Sequence, residues 1–379
     1  MSNQSIPKVQ KAVVVVSPNE PIQVRNDYPV RQPQDLEPGE CLVKMHCTGV
    51  CHTDLHARKG DWPLATKLPL VGGHEGVGEI IAIGEHTANS PVKVGDRVGI
   101  KWLADSCLQC EICRKGLEQS CQKGKLSGYT IDGTFSQYVV RTRFPPFRDY
   151  PSIFSPHFFL KVSYTAHVTP IPEGLDSAEA ASILCAGVTT YRALKYSQTH
   201  IGDWVVIPGA GGGLGHLAVQ YAVAMGLRVV AIDTGKDKKD LCLKLGAERW
   251  IDFLESKDIV KDIKAATDGL GPHAAIITAA NGSAYEQAVN YLREGGTLMA
   301  VGLPAKAQLS ASVFWTVVKS ISILGSYVGN RQDAREAIAI AAAGKVKCHY
   351  VLKPLDQLKD VYEGMEAGNV VGRVVLSMD

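Results

Sequence analysis

A chain of 379 residues exceeds what one hydrophobic core usually serves, so two domains are expected. Its 40 basic and 38 acidic residues leave a net charge of +2, which argues against a nucleic-acid surface or an anionic-membrane anchor and for a small neutral or cofactor-bound substrate. No apolar run approaches the roughly 20 residues needed to span a bilayer, and Met1 to Gln10 has neither a signal-type apolar core nor a transit-peptide character. A cytosolic location is therefore expected, in which ten cysteines are better explained by metal binding than by a disulfide framework.

Lys11 to Val16 and Glu40 to Met45 read as strands, because β-branched runs bounded by Pro, Gly and Asn favour short extended segments. The first third reads as irregular β structure. Within it, Cys51-His52-Thr53-Asp54-Leu55-His56 offers a thiol, two imidazoles, a hydroxyl and a carboxylate, a set that suits zinc. A lone Cys51 would be read as a packed thiol; its companions change that reading. Gly72-Gly73-His74-Glu75-Gly76 adds an imidazole and a carboxylate between glycines that free the backbone.

The strand Val94 to Ile100 leads into a loop carrying Cys107, Cys110, Cys113 and Cys121, spaced C-x2-C-x2-C-x7-C. Four closely spaced thiolates wrap a tetrahedral zinc and leave no position for substrate, so this metal is expected to be structural. An iron–sulfur cluster is the rival, although Gln122 stands where a proline usually follows the last cysteine.

From about Ala178 helix and strand alternate, which indicates parallel βαβ units. The buried-strand run Trp204 to Pro208 is followed by Gly209-Ala210-Gly211-Gly212-Gly213-Leu214-Gly215 and a helical stretch from His216. Strand, glycine loop and helix in that order bring backbone N–H groups and the positive helix end to a pyrophosphate, although the loop is one residue longer than the six-residue form. The next strand, Arg228 to Ile232, ends in Asp233, at the spacing of a ribose-binding carboxylate that repels a 2′-phosphate, so NAD is favoured over NADP; a turn-capping Asp is the plain alternative. Further strands at Ala274–Ile277, Gly296 to Val301 and Ser320 to Ser326 continue the sheet, and a helix near Ala334 to Ala343 precedes a last strand, Gly372 to Leu376, that returns to the first domain.

Together these residues resemble the zinc-dependent medium-chain alcohol dehydrogenases of the fungal ethanol type. The most specific stretches are Cys51 to Ala57, Gly60-Asp61-Trp62-Pro63-Leu64, Gly72 to Gly76, the four-cysteine loop, Ile183 to Thr189 and Gly325 to Arg331. The resemblance implies a mostly β GroES-like catalytic domain at 1–185 and 328–379 and a Rossmann NAD-binding domain, a doubly wound parallel sheet, at 186–327. It implies two zincs per subunit, the catalytic one held by Cys51, His74 and Cys185 with the fourth position open; two cysteines and one histidine are the established set for alcohol dehydrogenases. A zinc-stabilised alkoxide then gives hydride to the nicotinamide of NAD.

By the same resemblance Thr53 and His56 relay the proton and Asp54 orients His74. Glu75 is either a transient ligand or a buried carboxylate paired with Arg373 or another cation. His52 and Arg373 fall to the pyrophosphate, with Gly209, Gly211, Gly212, Gly213, Leu214 and Gly215, while Asp233 and Lys238 fall to the ribose. Trp62, Trp102 and Leu303 line the substrate cleft, unless the tryptophans are simply core. The implied activity is interconversion of ethanol and acetaldehyde by a cytoplasmic homotetramer, with no nucleic-acid or membrane partner. The alternatives are a polyol or secondary-alcohol dehydrogenase, which commonly has a carboxylate in place of Cys185, and a non-catalytic relative that would have lost the zinc ligands. One departure from the family pattern is 141–162, rich in Phe and Pro, read either as a surface loop or as a translated non-coding segment.

Overall fold

The computed structural model describes residues 6–140, 164–304, 307–368 and 370–378. The 141–162 stretch lies outside the described residues. The chain forms two compact units, one of Met1–Pro172, Lys353–Lys359 and Leu376–Asp379, the other of Glu173–Leu352 and Asp360–Val375.

The first unit is built on antiparallel strands. Cys41–Val50 pairs with Glu75–Ile83, which pairs with Arg97–Ile100, which in turn pairs with Thr169–Pro170; Tyr138–Val140 joins the other edge of Cys41–Val50. A smaller sheet places Val9–Val15 between Gln23–Pro29 and Leu70–Val71. Leu42, Ile80, Ile100 and Leu103 are fully buried, so the apolar faces of these short strands close on one another. In this unit the Met378 N–H donates to His46 O and the Gln137 side-chain amide donates to Met378 O.

Cys41–Val50 ends at Cys51, whose sulfur accepts the Thr53 N–H and whose own N–H donates to Asp54. That reciprocal cap starts the helix His52–Lys59, and Gly60, at φ 62°, ends it in the left-handed conformation. Capping thus fixes one candidate ligand and sets the residues that follow it on a helix.

The second unit is an α/β fold. Six parallel strands stand in the order Arg249–Asp252, Arg228–Asp233, Trp204–Pro208, Ala274–Ile277, Thr297–Ala300, Ser322–Gly325. The central strands Trp204–Pro208 and Ala274–Ile277 are buried and apolar throughout, with Val206, Val230, Ala275, Ile277 and Leu298 in one buried cluster. The strand order reverses beside Trp204–Pro208, and in sheets of this type the crevice at that reversal receives the ligand. The glycine loop leaves the sheet there.

Candidate metal centres and dinucleotide loop

In the four-cysteine loop, Cys107 and Cys121 sulfurs lie 3.6 Å apart, Cys107 and Cys113 3.9 Å, and Cys110 and Cys121 4.0 Å. Four sulfurs each about 2.3 Å from one tetrahedral ion stand about 3.8 Å apart. The donor set therefore fits a single ion and leaves no room for a multi-iron cluster, which answers the iron–sulfur alternative. It is also far from the roughly 2.05 Å of a disulfide. Burial raises the Cys107 thiol, but the N–H groups of Gln109 and Cys110 and the neighbouring thiols bring it down to about 6, whereas burial and its neighbours push Cys113 far up. Thiols this close do not all ionise without a cation among them.

The second cluster in the first unit comprises Cys51, His74 and Glu75, all buried, with candidate ligand atoms within 4.8 Å of one another. Cys51 Sγ is 3.3 Å from His74 Nε2, against about 3.5 Å for two donors on one tetrahedral zinc. His74 Nδ1 lies 2.9 Å from Asp54 Oδ1. A carboxylate only accepts, so Nδ1 donates to Asp54 and Nε2 is the nitrogen turned toward Cys51. Asp54 also accepts the N–H groups of Cys51 and Gly73. Burial raises its pKa against the pull of His74, and the His74 imidazole, which burial would lower, is held well above its ordinary value by Asp54 and Cys51. Room for the Glu75 carboxylate comes from Gly49, where a Cβ would lie 2.0 Å from Oε2.

Thr53 and His56 follow on the helix begun by Cys51, and His52 at its first position is exposed. His56 Nδ1 lies 2.7 Å from Asp61 Oδ1, and its ring stacks on Trp62 at 4.8 Å. Trp102 is 3% exposed and meets the His74 ring edge-on at 5.1 Å. Tyr129 links the two tryptophans, 6.1 Å from Trp62 and 5.5 Å from Trp102. The sequence reading missed both Asp61 and Tyr129. Asp61 had a signal, its place just past the helix end five residues after His56; Tyr129 had none.

Cys185 belongs to the second unit and is buried in a π-helical turn, Ile183–Gly187, between helices Ser177–Ser182 and Val188–Lys195. Such turns widen a helix locally and are frequent at functional sites. Leu303, in the same unit, is exposed.

The glycine loop runs from Pro208 into the helix Gly215–Ala224. Gly209 has φ 82°, and a Cβ on Gly215 would lie 2.0 Å from Gly209 O, so side chains at these two positions would push the loop off the helix. Asp233 accepts the Gly211 N–H through Oδ2, and through Oδ1 the Thr234 N–H and the Lys238 ammonium at 3.0 Å. Arg373 runs past Gly213, its Nη1 3.0 Å from where a Cβ would stand. Gly212 and Leu214 complete the turn, with Gly212 N–H on Gly209 O and Leu214 capping the helix. Backbone donors, a helix N-terminus, an arginine and a ribose-type carboxylate form a donor set that fits a dinucleotide.

An open Cys/His/carboxylate group, a closed thiolate shell and a dinucleotide loop define a zinc- and nicotinamide-dependent oxidoreductase. Residues 37–143 match the alcohol dehydrogenase GroES-like domain and residues 213–343 the zinc-binding dehydrogenase family. The chain is 47% identical over 377 residues to alcohol dehydrogenase 1 of Neurospora crassa, covering 99% of each. It resembles the solved alcohol dehydrogenase of Aeropyrum pernix with a TM-score of 0.82 at 30% identity, over 97% of this chain and 99% of that one. It also resembles the acetophenone reductase of Geotrichum candidum, solved with NAD, with a TM-score of 0.81 at 25% identity over 98% of both chains. The protein belongs to the zinc-dependent alcohol dehydrogenases, with a GroES-like domain and a Rossmann-type domain and with zinc and NAD as its cofactors. Among the described residues no helix is long and apolar enough to cross a membrane.

Proposed function

We propose that the enzyme interconverts ethanol and acetaldehyde, with Cys51, His74 and Cys185 holding the catalytic zinc. Bound zinc supplies a Lewis acid at the alcohol oxygen and bound NAD a hydride acceptor. The observation that carries the reading is the Asp54–His74–Cys51 frame, in which a buried carboxylate engages Nδ1 and turns Nε2 to the Cys51 sulfur as the ligating nitrogen. Glu75, in the space left by Gly49, is the transient ligand of that site. Thr53 receives the substrate proton and hands it toward His56. With its Nδ1 proton engaged by Asp61, His56 presents Nε2 as the acceptor. Trp62, Trp102 and Leu303 are the substrate-binding residues of this reading. His52, the glycine loop and Arg373 take the pyrophosphate, and Asp233 with Lys238 the ribose.

The enzyme is cytoplasmic and homotetrameric in this reading. Support for self-association is the helix Val313–Val318, where Val313, Phe314, Trp315, Val317 and Val318 are all exposed beside the edge strand Ser322–Gly325. The test is NADH formation across ethanol, hexanol, 2-butanol and sorbitol: ethanol should give the highest kcat/KM, and a preference for sorbitol or 2-butanol would replace this reading with a polyol or secondary-alcohol one.

A further inference from the structure

His216 lies in the first turn of the helix Gly215–Ala224 and is fully buried. Its Nδ1 is 3.0 Å from Gly212 O, and its Nε2 is 3.1 Å from the His349 nitrogen. A carbonyl only accepts and a backbone N–H only donates, so Nδ1 carries the proton and Nε2 accepts. Both nitrogens are committed and the ring is neutral. Burial lowers its pKa to about 4, against the Gly212 carbonyl and with the charges of Arg373 and His349 adding to the fall.

What the ring joins is the two sides of the phosphate cradle. His349 O accepts the Arg373 N–H at 2.8 Å, and the Arg373 side chain passes Gly213. The hydrogen bonds therefore run from Gly212 through His216 and His349 to Arg373, whose guanidinium returns to the loop one residue from the start. One turn along the helix, Gln220 bonds both N–H and C=O of Lys347, so the segment is held at two points. Gly372, at φ 67°, leaves no room for a side chain there, since its Cβ would lie 2.3 Å from His349 O.

We infer that His216 is a positioning residue for dinucleotide phosphates, setting the glycine loop and Arg373 in one frame through Gly212 O and the His349 N–H. This rests on the reading of the loop as the NAD site. The chemistry demanded of position 216 is a buried group that accepts from His349 while donating to Gly212, and the Nε2 acceptor carries the link to Arg373. Asparagine reaches only the Nδ1 place, whereas glutamine reaches the Nε2 place.

The experiment measures Kd for NADH by fluorescence and Kd for adenosine, which has no phosphates, in wild type and in His216→Leu, His216→Asn and His216→Gln. Leu and Asn should weaken NADH by about tenfold, Gln should recover most of the loss, and adenosine should change less than about twofold. In an Arg373→Gln background the loss from His216→Asn should shrink to under about threefold, because the residue it positions is gone. Equal NADH binding by wild type and His216→Asn, losses that multiply independently with Arg373→Gln, or parallel loss of adenosine would each overturn the inference while leaving the NAD reading in place. Wild-type protein that binds no NADH would overturn both.

Discussion

The first unit carries two candidate zinc-ligand sets of opposite kind. In the loop from Cys107 to Cys121 four thiols face one another, three of their pairs at 3.6 to 4.0 Å, and among the described residues the clustered donors are all sulfurs. Around Cys51 the donors are a thiol, an imidazole and a carboxylate, and the imidazole is held by a buried carboxylate that does not itself face the metal side. A closed thiolate shell spends its ion on folding; an open mixed set keeps a position for a reacting oxygen and needs outside hydrogen bonds to hold its ligands in place.

The largest effect that would sharpen this contrast is expected at the open site. Cys185→Ser should abolish turnover of ethanol, whereas soluble Cys110→Ser protein should retain measurable kcat; turnover within a factor of a few of wild type for Cys185→Ser would remove Cys185 from the site. Asp54→Asn comes next. It leaves the space filled but lets His74 adopt the wrong tautomer, so activity or zinc affinity should fall by about 10- to 100-fold, read by kcat/KM and by zinc titration. Replacing Glu111, which is exposed on the four-cysteine loop, should have no such effect.

Substrate size follows. Trp102 packs on the edge of His74, so Trp102→Ala should lower kcat/KM for ethanol through poorer positioning and raise it relatively for hexanol and 2-butanol, a change in the ratio of about tenfold. An unchanged ratio with a lowered Tm would make Trp102 core alone. The smallest effect lies in the second unit: Asp233→Gly removes the charge that repels a 2′-phosphate and should narrow the NADH over NADPH preference, measured as the ratio of their Kd values. A wild type that binds both equally would contradict the assignment.

How far the sequence alone reaches differs between the same regions. The four-cysteine centre was legible because its ligands lie within fifteen residues, so spacing already implies geometry. The strand, glycine loop and helix of the second unit were legible for the same reason, with Asp233 at the end of the following strand. Cys51, His74 and Cys185 sit on three separated segments, and only resemblance to a family joined them. Nothing in Ile183–Gly187 announces a π-turn, because its small and apolar residues suit any buried helix. Pairs distant in sequence, such as His216 with His349 or Trp102 with Tyr129, are products of packing and leave no periodic trace. The Asp61 bond to His56 was within reach, because a carboxylate just beyond a helix end commonly folds back on a basic side chain in the last turn.

The claim that one metal serves the fold and the other the reaction is tested most directly by zinc content and Tm measured together on wild type, Cys185→Ser and Cys110→Ser. Wild type should hold two zincs per subunit. Cys185→Ser should lose one of them with Tm within a few degrees of wild type, while Cys110→Ser should lose the other with a large fall in Tm or in soluble yield. Equal loss of Tm in the two variants would contradict the division of labour.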